Sequence, residues 1–151
     1  EEVEKYFLGN SNVKILRSSY NFFRTDRFTS YLEKCALNGD IAEIFSPFKR
    51  SVIHLDDTVD AILSLSKNWD GPQIINCGGP DTLCRSEFAH ILKEEVFPNL
   101  ELKIVRPPEK FYKDRPSEVS MMSISLKNIL GKSQKSLREA VRVEFGVWKE
   151  Y

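Results

Sequence analysis

Apolar positions along the chain switch between helical spacing and short extended runs. Residues 1–8 read as the end of a helix that Gly9-Asn10 stops, and residues 13–16 as an apolar run of strand character. Phe28, Tyr31, Leu32 and Cys35 then recur at helical intervals behind Asp26, whose side chain suits a helix start, and Asn38-Gly39 closes the segment. Residues 41–45 and 51–55 read as strands around the Pro47 turn. A helix follows that Asp56 is expected to cap and that is expected to bury Val59, Ile62 and Leu63. Residues 73–77 form another strand, ended by Gly78-Gly79-Pro80. Beyond it come a helix with Phe88, Ile91 and Leu92 on one face, a strand at 102–105, and a long polar connection through Pro107-Pro108 to Pro116. A short helix at 125–130 stops at Gly131, and Ser136-Leu137-Arg138-Glu139 has the spacing of a capping box opening the last helix. No internal repeat or low-complexity stretch stands out, and the alternation predicts an α/β fold instead of a bundle or a β sandwich.

Composition narrows the function. The 151 residues are 41% hydrophobic, enough for a real core. Lys+Arg and Asp+Glu balance at 22 each, so no basic field exists to hold nucleic acid or an anionic membrane, although a few basic residues can still grip one small anion. Cys35, Cys77 and Cys84 are odd in number and lack Cys-x-x-Cys spacing, which argues against a disulfide framework or a zinc site and for reduced, cytoplasmic thiols. No apolar run approaches the ~18 residues of a membrane span, and Glu1-Glu2-Val3-Glu4-Lys5 is no signal peptide. The chain begins as if in mid-helix and without Met, so a segment upstream of Glu1 is expected.

Four segments, taken in order, carry a resemblance. Ile15-Leu16-Arg17-Ser18-Ser19-Tyr20-Asn21 resembles the strand and loop after the catalytic helix of extended short-chain dehydrogenase/reductases, the NAD-dependent epimerase/dehydratase superfamily. Arg50-Ser51-Val52-Ile53-His54-Leu55-Asp56-Asp57 resembles their Arg-x-x-(Val/Ile)-His-Val-x-Asp segment. Asn76-Cys77-Gly78-Gly79-Pro80 with Ser86-Glu87-Phe88-Ala89 resembles their Asn-x-Gly-Gly turn and its helix, and Arg115-Pro116 with Leu126 to Gly131 the late Arg-Pro segment and closing helices. The resemblance implies the distal part of a Rossmann-like fold with its small substrate-binding domain. Residues 1–151 then form a single substrate-binding portion, the dinucleotide-binding part being absent from this chain.

The late segment most resembles dTDP-4-dehydrorhamnose reductases, which reduce a nucleotide-linked 4-keto-deoxysugar with NADPH or NADH. A sugar-nucleotide epimerase or dehydratase on the same scaffold is the alternative. So is a non-catalytic subunit like the regulatory β subunit of methionine adenosyltransferase, which leaves a homodimer or another protein as possible partners. The chain departs from the reductase pattern at Tyr20, where Trp is usual, and at Asn21-Phe22-Phe23-Arg24, where a Gly-containing loop is common.

In that family a Tyr donates a proton to the sugar carbonyl while a Lys four residues on lowers its pKa. No Tyr-x-x-x-Lys and no Gly-x-x-Gly-x-x-Gly loop occurs in this sequence, so hydride transfer is not expected of these residues alone, and NADP or NAD belongs to the parent protein. What remains is recognition. The resemblance places Ser18 and Ser19 by the nicotinamide, Tyr20 and Asn21 by the sugar, and Arg50 and Arg115 on the diphosphate, whose oxygens suit planar guanidinium forks. The competing role for either Arg is an ion pair with Asp56, Asp57, Asp114 or Glu118, and for Tyr20, Phe22 and Phe23 an ordinary place in the core. His54 and Asp56 are read as local backbone partners, the group they form with Asp57 not being read as metal ligands, Asp60 as a solvated face, Cys84 as a modest helix cap, and Lys132 to Lys135 as a small basic patch.

Overall fold

The structure, a computed structural model, describes residues 2–67, 69–113 and 115–147. Asp114 and the side chain of Tyr112 lie outside the described residues. Helices and strands alternate as α1 (Glu2–Phe7), β1 (Ile15–Ser18), β2 (Tyr20–Phe22), α2 (Arg27–Asn38), β3 (Ile41–Phe45), β4 (Lys49–His54), α3 (Leu55–Lys67), β5 (Ile74–Cys77), β6 (Asp81–Cys84), α4 (Arg85–Glu95), β7 (Glu101–Val105), α5 (Glu109–Tyr112), β8 (Glu118–Val119), α6 (Leu126–Leu130) and α7 (Leu137–Phe145). The expected α/β class is observed.

Three small sheets organise these strands. β1 runs parallel to β5, and β3 runs parallel to β7. Between them β4 pairs in parallel with β2 and β8 and antiparallel with β6, opposing Arg50 to Leu83 on one side and to Val119 on the other. β2, β6 and β8 fall outside the expected strands. Each is two to four residues long, too short for an alternating pattern to stand out from a loop.

Local chemistry sets the boundaries. Asp26 accepts hydrogen bonds from Phe28 N and Thr29 N at the start of α2, and Gly39 ends the helix at φ 72°, a left-handed conformation that costs glycine little. Ser136 and Glu139 bond reciprocally at the start of α7, the capping box read from the sequence. Gly79 meets a steric demand of another kind. A Cβ there would collide with the carbonyl of Val52, so only glycine lets the turn before β6 press against β4.

One expectation is overturned in α3. The helix starts at Leu55, so Asp56 lies inside its first turn and does not cap it. Val59, Ile62 and Leu63 are 43%, 52% and 51% exposed, while Asp57, Thr58, Ala61 and Leu65 are buried. The helix is apolar on two sides, and periodicity alone does not say which one packs. The core takes the side bearing small and polar residues because it meets α6 and β5 closely: Leu126 and Cys77 pack against Ala61. In α2, Leu32 and Cys35 are buried as expected, but Tyr31 is 39% exposed and turned to a cleft.

The main core joins Phe22, Leu32, Ala42, Ile44, Val52, Phe88, Leu92, Leu100, Leu137 and Val141 from α2, α4, α7 and the strands between them. Buried polar groups lock α7 and the chain before it onto this core. Glu95, with a fully buried carboxylate, binds Arg138 and Arg142. The Asp57 carboxylate accepts from Lys135 N at 2.9 Å and Lys135 Nζ at 3.2 Å, and His54 Nε2 lies 2.8 Å from Glu144 Oε1. His54 is thus a long-range tie instead of a local backbone partner, and Asp57 is a second such tie. Asp60 is paired with Lys132 at 2.6 Å, which accounts for part of the basic patch.

Candidate functional site

A cleft of ≈ 660 Å³ opens between the first turns of α2 and α4, β4 and the segment leading into β8. Its walls are aromatic and its charges are guanidinium groups: Arg27, Arg50, Arg85 and Arg115 all line it. The strand pairings explain the convergence. Arg50 lies on β4, the β6 strand opposite it delivers Arg85 one residue past its end, and β8 runs beside β4 so that Arg115 arrives on the same side. Arg50 is fastened at this junction by donating to the carbonyls of Lys49 at 2.6 Å and Pro116 at 3.0 Å.

Carboxylates do not neutralise this cluster. Four arginines elsewhere pair with acids, Arg17 with Glu4, Arg24 with Glu33, Arg138 with Glu94 and Glu95, and Arg142 with Glu95. Among the described residues the four cleft arginines form no ion pair, and the carboxylate of the one acidic wall residue, Glu43, is bound by Lys103 at 2.8 Å. The guanidinium groups rest on rings instead: Arg115 is 4.4 Å from the centroid of Phe111, Arg85 5.3 Å from Phe28 and Arg50 5.8 Å from Phe48. Partial desolvation and the nearby Arg85 charge hold Arg50 below the ordinary guanidinium pKa. Arg85 is lowered too, by desolvation first and then by Arg115 and Arg27, with Tyr20 acting in the opposite sense. The members of the cluster repel one another, and among the described residues no carboxylate pairs with them.

Of the residues singled out in the sequence, the structure brings Tyr20, Arg50 and Arg115 to the cleft. Asp56, Asp57 and Glu118 do not pair with either Arg. Tyr20 presents its ring, but its hydroxyl donates to Asp26 Oδ1 at 2.5 Å, and burial followed by this carboxylate raises its pKa well above the usual phenol range. Its ring meets Phe88 edge-on at 5.8 Å, Phe22 is fully buried core, and Phe23 is half-buried.

Ser18, Ser19 and Asn21 do not line the cleft. Ser18 Oγ donates to Asn21 Oδ1 at 3.1 Å, and the same oxygen accepts from Thr58 Oγ1 at 2.7 Å. Ser19 lies just past the end of β1, and its Oγ is buried without a hydrogen-bond partner. With Ser18 Oγ bonded to Asn21 and Ser19 Oγ buried, these two hydroxyls would supply at most an edge contact to a dinucleotide.

Arg27 and Arg85 were missed, yet the sequence carries a signal for both. Each is the first residue of a helix, at the positive end of the peptide dipoles, where acidic residues are the stabilising choice. A cation there adds to the helix field instead of opposing it, an arrangement that makes sense when something negative sits in front. Cys84, just before α4, receives the Glu87 carboxylate at its backbone N at 2.7 Å. Among the described residues no group of three or more His, Cys, Asp or Glu side chains is placed to hold a metal ion, and no helix is long and apolar enough to cross a membrane.

Solved nucleotide-sugar epimerases and dehydratases share this α/β fold, and the chain spans about half of their length. A UDP-glucose 4-epimerase from Thermotoga maritima, solved with UDP-glucose, superposes with a TM-score of 0.72 at 21% identity, over 97% of this chain and 49% of that one. A UDP-glucuronic acid 4-epimerase from Bacillus cereus, solved with UDP-glucuronic acid and NAD, gives 0.71 at 15% identity, over 95% and 48%. A dTDP-glucose 4,6-dehydratase from Bacillus anthracis in complex with NAD gives 0.68 at 15%, over 94% and 47%. No family model and no curated protein matches the chain by sequence.

Proposed function

We propose that residues 1–151 are the nucleotide-sugar-binding portion of an NAD- or NADP-dependent enzyme, with the diphosphate held between Arg50 and Arg115. One observation carries this reading: four guanidinium groups, without acidic partners among the described residues, surround an aromatic cleft large enough for a nucleotide sugar. The guanidinium forks match phosphate oxygens, and the rings of Phe48 and Phe111 give the two clamp arginines flat supports. Structural neighbours solved with UDP-glucose, with UDP-glucuronic acid and with NAD support a nucleotide sugar as ligand and NAD as the parent enzyme's cofactor.

Reduction of a 4-keto-deoxysugar is the reading suggested by the late Arg115-Pro116 segment and closing helices. Epimerisation or dehydration is favoured by the neighbours themselves, which carry out those reactions. In every case the acid–base pair and the cofactor loop are contributed from outside these residues, and this chain binds and orients the ligand.

Calorimetric titration with UDP-glucose and dTDP-glucose tests the proposal. Arg50→Ala and Arg115→Ala are each expected to weaken binding by about 1.5–3 kcal/mol, the range for hydrogen bonds to charged groups. Unchanged affinity in both variants would remove the clamp from this cleft.

A further inference from the structure

The cleft holds more positive charge than a diphosphate can satisfy. The two phosphates of a nucleotide sugar carry about two unit charges at neutral pH, and Arg50 and Arg115 match them. Arg27 and Arg85 remain, bracketing Phe28: Arg27 precedes it in sequence and the Arg85 guanidinium lies 5.3 Å from its ring. Neither forms an ion pair among the described residues, and Glu43 across the cleft is taken by Lys103. Arginines without a carboxylate partner among the described residues, set at two helix starts where their charge is unfavourable, are poorly explained as scaffolding.

We infer that Arg27 and Arg85 form a second anion subsite, so that the cleft selects a nucleotide carrying an acidic group beyond its diphosphate. This rests on the nucleotide-sugar reading above and deepens it. The acidic group is either a carboxylate on the sugar or a further phosphate on the ribose. Both present oxygens to guanidinium forks, and both relieve the repulsion that Arg27 and Arg115 exert on Arg85.

Two matched probe pairs separate the sources in titrations of the full-length protein: UDP-glucuronic acid against UDP-glucose, and 3′-phospho-ADP against ADP. The acidic member of one pair is expected to bind about tenfold tighter or more, as one additional charge-assisted contact provides. Arg27→Gln and Arg85→Gln are expected to reduce that preference to about threefold or less, the acidic member losing severalfold more affinity than the neutral one. Both residues are exposed, so folding should survive, and circular dichroism of each variant confirms it. Arg85→Lys, which keeps the charge and loses the fork, should retain part of the preference.

Equal affinities within both pairs would overturn the inference, as would parallel losses for acidic and neutral members. If UDP-glucose binds in an Arg50-dependent manner with no acidic preference, only the second subsite fails. If none of the four probes binds, both readings fall.

Discussion

The two apolar clusters of this chain support very different surfaces. The larger one joins α2, α4 and α7 to β2, β3 and β4, and the cleft is built directly on it: Phe88 is 4% exposed and packs against Tyr20, Phe22 and Phe28 at ring separations of 5.8, 5.6 and 5.5 Å. The smaller cluster has Ile53, Ala61, Cys77 and Leu126 at its centre, with Leu16 and Leu130 against it, beneath the two-stranded β1–β5 sheet. Around that sheet apolar side chains stay exposed, Val3 and Tyr6 on α1 and Val59, Ile62 and Leu63 on α3. The arginine-lined cleft thus rests on the more extensive apolar layer. The end bearing Ser18 and Ser19 lies beside the smaller one.

The strongest way to break this comparison is to cut the link between core and cleft. Phe88→Ala is expected to cost about 3–5 kcal/mol in urea unfolding, as for other buried aromatic truncations, and to weaken nucleotide-sugar binding because Phe28 and Tyr20 lose their backing. Leu126→Ala, a fully buried site in the smaller cluster, should cost about 2–3 kcal/mol, near the lower end for Leu truncation, because the thinner layer relaxes around it. Equal losses at the two sites would mean that the clusters are equally rigid.

The same contrast explains what could be read in advance. Helices α2, α4 and α7 carry caps and one-sided apolar spacing, and their positions follow from Asp26, Gly39 and the Ser136/Glu139 box. The site was legible where a motif carried it, as at Arg50 and Arg115. Their meeting was not, because it depends on β8, a two-residue strand whose only sequence trace is the turn around Pro116. Arg27 and Arg85 went unread because each looks like a surface residue until β6 and α2 bring them to one cleft. The exposed face of α3 was misread for a related reason: hydrophobicity identifies a face that packs on something, without saying on what.

Smaller effects sharpen the picture at the back of the core. Ser136→Ala removes a hydroxyl that accepts from Glu139 N at 3.3 Å and donates to Glu139 Oε2 at 2.7 Å, and should cost about 1 kcal/mol at neutral pH. Hydrogen bonds from Ser136 hold the Glu139 pKa below its ordinary 4.5. A depressed carboxylate contributes its stability above the unfolded pKa and loses it as pH falls through the folded one. The gap between wild type and Ser136→Ala should narrow below about pH 4.5, checked by urea midpoints across that range. A gap that widened on acidification would mean that Glu139 is not the partner responsible.

The smallest effect addresses the exposed face directly. Ile62 and Ala61 are neighbours on α3, one 52% exposed and the other fully buried. Ile62→Ser exchanges residues of similar helix propensity at a position without core contacts, so the 1–151 chain should change by about 0.5 kcal/mol or less. Ala61→Leu, one position away, forces extra carbons against Leu126 and should cost about 1–3 kcal/mol. The pair tests the orientation of α3 without depending on any ligand. If Ile62→Ser costs as much as Ala61→Leu, then Ile62 is buried in solution and the assignment of faces is reversed. If it is silent in 1–151 but destabilises a longer protein containing these residues, the apolar stripe of Val59, Ile62 and Leu63 is covered there by another surface.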